Sequence, residues 1–229
     1  TDVKKAVQIA KIEHAEGIRA TFYVQSYLVD KNIELLRMIQ DMGHEVTYHY
    51  DVLDSNAGNM KEALREFSLT VEKFENLGFP VTSVCPHGNP VMNRNGWSSN
   101  KDFFRDSNVT KSFSEIFDVV VQGKEKIKSN YVYISDAGFS FKIIDDITNN
   151  DLKKSYDSEV NEMSELIKVS NGSASVIIST HPHRWNTNIM IAGLIKQRFI
   201  IARKIASYIS KNYFLKKILS RFYFLAKKF

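Results

Sequence analysis

The 229-residue sequence contains one cysteine and no long apolar run. A single cysteine, Cys85, excludes an intrachain disulfide framework and a cysteine-rich zinc module. Because no stretch approaches about 18 uncharged apolar residues, no segment is predicted to cross a membrane as a helix. Repeats and low-complexity segments are missing as well. With 43% hydrophobic and 25% charged residues, the chain is predicted to fold as one large domain, or as one domain with an appendage.

Acidic residues are missing from the last part of the chain. Residues 196–229 hold ten basic residues and no acidic one, whereas residues 1–195 hold 21 basic and 26 acidic residues. The net charge of +5 therefore belongs to a basic tail on a mildly acidic body. We divide the chain into a domain at 1–195 and a tail at 196–229. No nucleic acid is expected as a partner, because no known binding motif accompanies the charge.

Helical and strand patterns alternate through the first domain. Apolar residues at helical spacing, closed by glycine, predict helices at 3–16, 32–42 and 60–77. Short β-branched and aromatic runs predict strands at 20–25, 45–50, 81–85, 117–121, 131–135 and 175–180. A further helix is predicted at 151–169. This alternation is typical of an α/β fold with a mostly parallel sheet or a barrel.

Four of the predicted strands are followed directly by histidine, aspartate or asparagine. These residues are His49, Asp51, His87, Asn89, Asp136 and His181. Because the carboxyl ends of parallel strands meet at one edge, we expect a shared site there. For any one of these residues, a structural role is the alternative.

Histidines and carboxylates that converge in a cysteine-poor domain suit a divalent metal, zinc first. His49 is the strongest candidate ligand, since it lies at a strand end with Asp51 two residues further on. His87 is the next candidate, because a histidine between proline and glycine is exposed by the turn. A surface-turn role is the alternative for His87.

The last predicted strand and the one at 131–135 carry the other candidates. Asp136 suits a base or an orienting carboxylate, with an Asx-type turn as the alternative. His181 leaves a buried strand and precedes a proline, which suits a general acid held on a rigid element. Arg184 and Trp185 offer an anion clamp and a flat face for a sugar ring. Plain packing at a helix start is the alternative for both.

Five segments in this order, ATFYVQ, MGHEVTYHYD, PHGNP, SDAG and STHPHRW, resemble the polysaccharide deacetylase (NodB-homology) family. They are most similar to its bacterial branch with an opening His-Asp-Val-Asp motif. The resemblance covers about residues 1–186. It implies a distorted, incomplete (β/α) barrel and the metal-dependent removal of N- or O-acyl groups from glycans. A carbohydrate substrate, and with it a role in glycan biosynthesis, follows from the same resemblance.

The resemblance also implies a site with one Asp and two His as metal ligands. His49 matches the first ligand, and His181 matches the late-strand catalytic histidine, which protonates the departing amine. Where the family has its second histidine, this sequence has Leu53. Asp51, Asp54 or His87 is then left to fill the gap, and we favour His87. Arg184, Trp185 and Asn89 are the predicted substrate contacts.

The resemblance breaks down at the start of the chain. The strand with the metal-binding and the base aspartates is expected just before the first helix, but the sequence opens at Thr1. We therefore expect a barrel without its first strand and with very low activity in this form. The alternative is a non-catalytic glycan-binding or scaffolding relative; a different hydrolase of non-peptide C–N bonds is a weaker one.

The basic tail has the pattern of an amphipathic helix, broken near Asn212. Its apolar positions include Ile201, Ile205, Phe214 and Leu215, with lysines and arginines between them. One interpretation packs the apolar face on the barrel. Another binds it to an anionic membrane surface through residues 196–229. The predicted location is cytoplasmic, peripheral at the inner face of the membrane.

Overall fold

A computed structural model describes residues 2–89, 92, 94–127, 131–137, 139, 141–152, 158–160, 165, 168, 175–186 and 188–210. The helices are α1 (Val3–Ala15), α2 (Ser26–Asp41), α3 (Val52–Ser55), α4 (Met60–Asn76), α5 (Asp102–Arg105), α6 (Ser107–Ser112), α7 (Gly123–Ile127) and α8 (Ile189–Ser210). The strands are β1 (Thr21–Val24), β2 (Glu45–Tyr50), β3 (Ser83–Pro86), β4 (Phe117–Asp118), β5 (Val132–Ser135), β6 (Phe141–Ile144), β7 (Ser158–Val160) and β8 (Val176–Ser179). A 3-10 turn at Pro182–Arg184 follows β8.

The first sheet has the strand order β1-β2-β3-β4, and all of its pairs are parallel. Parallel neighbours need crossover connections, which α2 and α4 provide here. The ring of Tyr48 on β2 lies 5.5 Å from the rings of both Phe67 and Phe74 on α4. This aromatic packing holds β2 against α4. His49 is the next residue along β2, so its side chain lies on the opposite face of the sheet. The helices predicted at 3–16 and 60–77 and the strands predicted at 20–25, 45–50 and 81–85 are confirmed, with ends that differ by at most two residues.

The second sheet has the order β7-β6-β5-β8 and mixes directions. β5 and β8 are parallel, while β6 runs antiparallel to both β5 and β7. The sequence analysis did not predict β6. Its helix at 151–169 is wrong at residues 158–160, which form β7. Val160 is buried in a cluster with Ile134, so pairing with β6 and burial override the local helical pattern.

The α/β class with a parallel sheet is confirmed, but the barrel shape is not. Among the described strands, pairing in the first sheet stops at β4, and no pair joins it to the second sheet. The strand predicted at 117–121 ends early because the Asp118 carboxylate accepts hydrogen bonds from the backbone N–H groups of Val120 and Val121, both at 2.7 Å. These bonds turn the chain away from the strand direction.

Two helices differ from their predicted bounds. α2 begins at Ser26 rather than at residue 32, and it bends at Asn32, whose side-chain amide donates to the Leu28 carbonyl at 2.7 Å. α8 confirms a helix in the region from about residue 186, while the predicted break near Asn212 lies outside the described residues. Within the described ranges, no helix has both the length and the apolar character needed to cross a membrane.

Asp118 gives the fold a testable pH dependence. It is fully buried and accepts a hydrogen bond from Tyr50 Oη at 2.5 Å. Burial raises the pKa of Asp118 to about 6, although the bond from Tyr50 and the backbone donors oppose that rise. In the unfolded chain an Asp titrates near 4, so the folded state binds more protons between about pH 4 and 6. The contribution of Asp118 to stability is therefore lost as the pH rises through this window.

We expect Asp118→Asn to remove this loss, since asparagine keeps a carbonyl oxygen for the two backbone donors. Relative to the variant, the wild type should lose about 2–3 kcal/mol of its free energy of unfolding as the pH rises from about 4 to 6.5. Urea unfolding of both chains across this range measures the difference. Parallel stability curves for the two chains would contradict the assignment.

Candidate active site

Two histidines meet at the carboxyl edge of the first sheet. His49 pairs in register with Cys85, and its Nδ1 donates to the Cys85 carbonyl at 2.9 Å. His87 follows β3 directly, and its backbone N–H donates to the Tyr50 carbonyl at 2.7 Å. The two rings lie edge to face with centroids 5.1 Å apart. Because Nδ1 of His49 carries the proton, its Nε2 keeps a lone pair.

The environment of His49 favours its neutral form. Burial is the main cause that lowers the pKa of His49 to about 3, the neighbouring His87 adds to it, and the bond to the Cys85 carbonyl opposes it. The charge of His181 is a smaller cause that lowers this pKa as well.

Asp136 and His181 leave the parallel neighbours β5 and β8 at the same edge, because Ser135 is in register with Ser179. The Asp136 carboxylate accepts a hydrogen bond from His181 Nδ1 at 2.6 Å and one from the His181 backbone N–H at 2.9 Å. Burial raises the pKa of Asp136, but the bonds from His181 and the charge of Arg184 outweigh it and hold that pKa below its usual value. Asp136 is therefore an ionised carboxylate that orients an imidazole.

This arrangement leaves Nε2 of His181 for proton exchange. The His181 side chain is 38% exposed, whereas that of Asp136 is 7% exposed. A buried carboxylate on Nδ1 fixes the tautomer and stabilises the imidazolium. The pair can act as a general acid or base toward a solute that reaches His181.

Arg184 and Trp185 complete the shell of Asp136. Arg184 Nη1 donates to the Asp136 carboxylate at 3.0 Å and to its carbonyl at 2.8 Å, and the Trp185 indole N–H donates to the carboxylate at 3.0 Å. The Arg184 guanidinium also lies over the Phe139 ring at 5.7 Å. Its charge is thus engaged by Asp136. Trp185 is 42% exposed, and its ring packs on Phe141 with centroids 5.9 Å apart.

Three other candidate residues follow β2 and β3 along the chain. Asp51 is buried just before the first residue of α3. The pKa of Tyr27 is raised, mainly by the burial of Tyr27 and also by the charge of Asp51. Asn89 is buried, and its carbonyl accepts from Arg94 Nη2 at 3.1 Å. Asp54 binds the Arg94 guanidinium through two hydrogen bonds of 2.8 Å. The roles predicted for Asp51 and Asn89 stay predictions, while the Asp54 carboxylate is already engaged by arginine.

For the predicted zinc, the described residues supply two imidazoles, those of His49 and His87. Within the described ranges, no group of three or more His, Cys, Asp and Glu side chains is arranged to hold a metal ion. A catalytic zinc takes three protein ligands and one open position. The histidine pair does not by itself complete such a site.

Gln25 is a further candidate for this site, and no sequence motif singles it out. It follows β1 directly, and since Val24 pairs with Tyr48, Gln25 comes level with His49 on the neighbouring strand. The side-chain period of two then places Gln25 and His49 on one face. Gln25 is 4% exposed, and its Nε2 has no hydrogen-bond partner in the part of the chain that the structure describes. A polar residue at the end of the ATFYV run was the available signal.

No family model matches the chain, and no curated protein matches it. Among solved structures, the chain is similar to a family 4 carbohydrate esterase from Streptomyces lividans in complex with acetate, with 15% identity over 89% of this chain and 83% of that chain and a TM-score of 0.46. A likeness of this size does not fix the function, so the proposal below rests on the contacts of this chain.

Proposed function

We propose that the chain is a hydrolase that removes an acetyl group from a glycan or a glycan precursor. The observation that carries the proposal is the Asp136–His181 pair, in which a buried carboxylate holds the ring of a histidine whose side chain is 38% exposed. Hydrolysis of an acetamide or acetate ester needs such an oriented acid for the leaving atom. Trp185, which is 42% exposed and donates its indole N–H to the Asp136 carboxylate, offers a sugar ring a stacking face. The five segments that resemble polysaccharide deacetylases support the same reaction.

In this proposal, His181 delivers the proton that completes the reaction. Water oxygen bonds to the acyl carbon and gives its proton to Nε2 of His181; as the C–N or C–O bond breaks, Nε2 passes that proton to the departing nitrogen or oxygen. Asp136 holds the ring through Nδ1 and stabilises the imidazolium before the transfer. The buried amide N–H of Gln25 is a donor for the acyl oxygen, on which negative charge develops. Acetate and the free sugar amine or hydroxyl are the products.

Acetate release tests the proposal. N-acetylated and O-acetylated oligosaccharides are incubated with the wild-type chain and with His181→Asn. We expect the wild type to release acetate and the variant to release it at least about a hundredfold more slowly. Absence of acetate release from the wild-type chain would overturn the hydrolase.

A divalent metal, zinc first, is a separate proposal that rests on the pair of His49 and His87. Metal analysis after purification, repeated with His49→Ala, tests it. About one zinc per chain that is lost in the variant supports the metal. Equal metal content in both chains would contradict it.

A glycan-binding protein without turnover is the second candidate. It is favoured by the finding that the described residues supply two imidazoles toward a metal rather than a complete set. Tryptophan fluorescence on titration with acetylated oligosaccharide separates the two functions. Saturable quenching that is lost in Trp185→Ala, without acetate release, identifies the binder.

Gln25 provides a sharper test of the proposed site. We expect Gln25→Leu to lower kcat for acetate release by about tenfold to a hundredfold, because the acyl oxygen loses a buried donor. The matched control is Gln40→Leu, since the Gln40 amide donates to the Gly78 carbonyl at 2.9 Å in an exposed position. Steady-state kinetics measure both. A normal kcat in Gln25→Leu would remove Gln25 from the site.

A further inference from the structure

An exposed apolar face runs along α8. Met190, Leu194, Ile201 and Ile205, here called the apolar stripe, are between 54% and 77% exposed. At 3.6 residues per turn these four positions fall within about 60° of arc around the helix axis. They form a row about 22 Å long, since each residue adds about 1.5 Å, with Gln197 at its border between Leu194 and Ile201. An apolar row of this size on a surface helix is typical of an interaction site.

The opposite side of α8 contacts the body of the protein. Phe199 lies about half a turn away from the apolar stripe, and its ring packs on Phe139 with centroids 4.9 Å apart. Phe139 in turn lies under the Arg184 guanidinium. The packing expected between the tail and the domain is therefore made through Phe199, and the apolar stripe faces away from it.

Basic side chains border the apolar stripe on both sides. In helical projection, Arg198 lies about 20° beyond one edge and Lys204 about 40° beyond the other, and both are exposed. From residue 196 to 229 the sequence contains no acidic residue. The charged ends of long basic side chains can stay in water or at lipid headgroups, while the apolar side chains between them face an apolar phase. An apolar row between two basic borders is complementary to a lipid surface of negative charge.

We propose that the apolar stripe of α8 docks on an anionic lipid bilayer. The helix lies flat, with Leu194 and Ile201 among the acyl chains and with Arg198 and Lys204 at the headgroups. A bilayer accepts such a row without a shaped partner surface. The body of the protein remains on the Phe199 side, away from the lipid. This inference does not depend on the proposed hydrolase activity.

Co-sedimentation of the full chain with vesicles tests the proposal. We expect binding to phosphatidylcholine vesicles that contain phosphatidylglycerol, little binding to pure phosphatidylcholine vesicles, and weaker binding at high salt. Leu194→Ser with Ile201→Ser, and separately Arg198→Gln with Lys204→Gln, should each weaken binding by about tenfold or more. The matched control is Ile12→Ser with Leu69→Ser, because these side chains are exposed on α1 and α4 at 62% and 56%. Circular dichroism checks that each variant is folded.

Three results would overturn the proposal. The first is equal binding to vesicles with and without phosphatidylglycerol. The second is a loss of vesicle binding in the Ile12 and Leu69 control that equals the loss in the Leu194 and Ile201 variant. The third is a dimer in sedimentation velocity that the Leu194 and Ile201 substitutions dissociate, without vesicle binding by the wild type. That outcome would assign the apolar stripe to a second copy of the chain.

Discussion

Replacing His181 with asparagine should lower kcat for acetate release by about 10²–10⁴-fold, because the reaction then lacks its proton donor. Asparagine retains a polar side chain of similar reach, so the fold at the end of β8 should persist. The matched control is His14→Asn, since His14 is an exposed histidine whose Nδ1 lies 2.8 Å from the Met42 carbonyl. An unchanged kcat in His181→Asn would contradict the role of His181 as the proton donor.

Asp136→Asn should lower kcat for acetate release by a similar factor, because it disturbs His181 rather than removing it. The carboxylate accepts four hydrogen bonds, from the His181 ring and backbone, Arg184 and Trp185. An amide in its place removes the charge that supports the imidazolium and presents a donor to groups that themselves donate. Because Asp136 acts through His181, the double variant should be little slower than His181→Asn alone. Losses that multiply in the double variant would show that Asp136 acts separately.

Asp54→Ala should destabilise the fold by about 3–5 kcal/mol, because it leaves a buried arginine without its counter-charge. The Asp54 side chain is fully buried, and that of Arg94 is 16% exposed. Asp54 also accepts hydrogen bonds from the Trp97 indole at 2.9 Å and from the Asn100 amide at 3.0 Å. Alanine would leave all of these donors unsatisfied at once.

An exposed ion pair supplies the comparison for Asp54. Asp30 pairs with Lys73 at 2.7 Å, and the Asp30 side chain is 65% exposed. Asp30→Ala should therefore cost less than about 1 kcal/mol. Urea unfolding of both variants measures the two free energies. Equal losses would show that the buried network contributes no more than the surface pair.

The Asp54 network also reaches the candidate site. Asn100, which donates to Asp54, donates from the same amide to the His87 carbonyl at 2.9 Å. Loss of Asp54 should thus loosen the turn that presents His87 to His49. We expect the folded fraction of Asp54→Ala to show reduced acetate release at temperatures below its unfolding transition.

Much of the first sheet could be predicted because its signals are local. The helical patterns at 3–16 and 60–77 end at glycines that adopt positive φ, at Gly17 and Gly78, a conformation that glycine reaches without strain. β2 was predicted over its observed range because its short β-branched and aromatic run is bounded by polar and glycine residues. That His49 lies at the end of β2, and that Asp136 directly follows β5, could be predicted for the same reason.

The second sheet and the site contacts depended on residues far apart in the sequence. β7 is stabilised by pairing with β6 and by burial of Val160, which no local pattern encodes. The bonds of Arg184 and Trp185 to Asp136 span 48 and 49 residues, so sequence reasoning left these two side chains free for substrate. Gln25 was missed because its significance lies in the register with β2 rather than in its own segment.

The sequence alone determined the alternation of helices and parallel strands and the chemistry at their carboxyl ends, because periodicity and glycine act over a few residues. Only the tertiary structure decided which side chains share a hydrogen bond, where pairing between strands stops, and which face of α8 is exposed. These outcomes follow from packing and desolvation between distant segments, and a burial pattern of that kind exists only once the chain has folded.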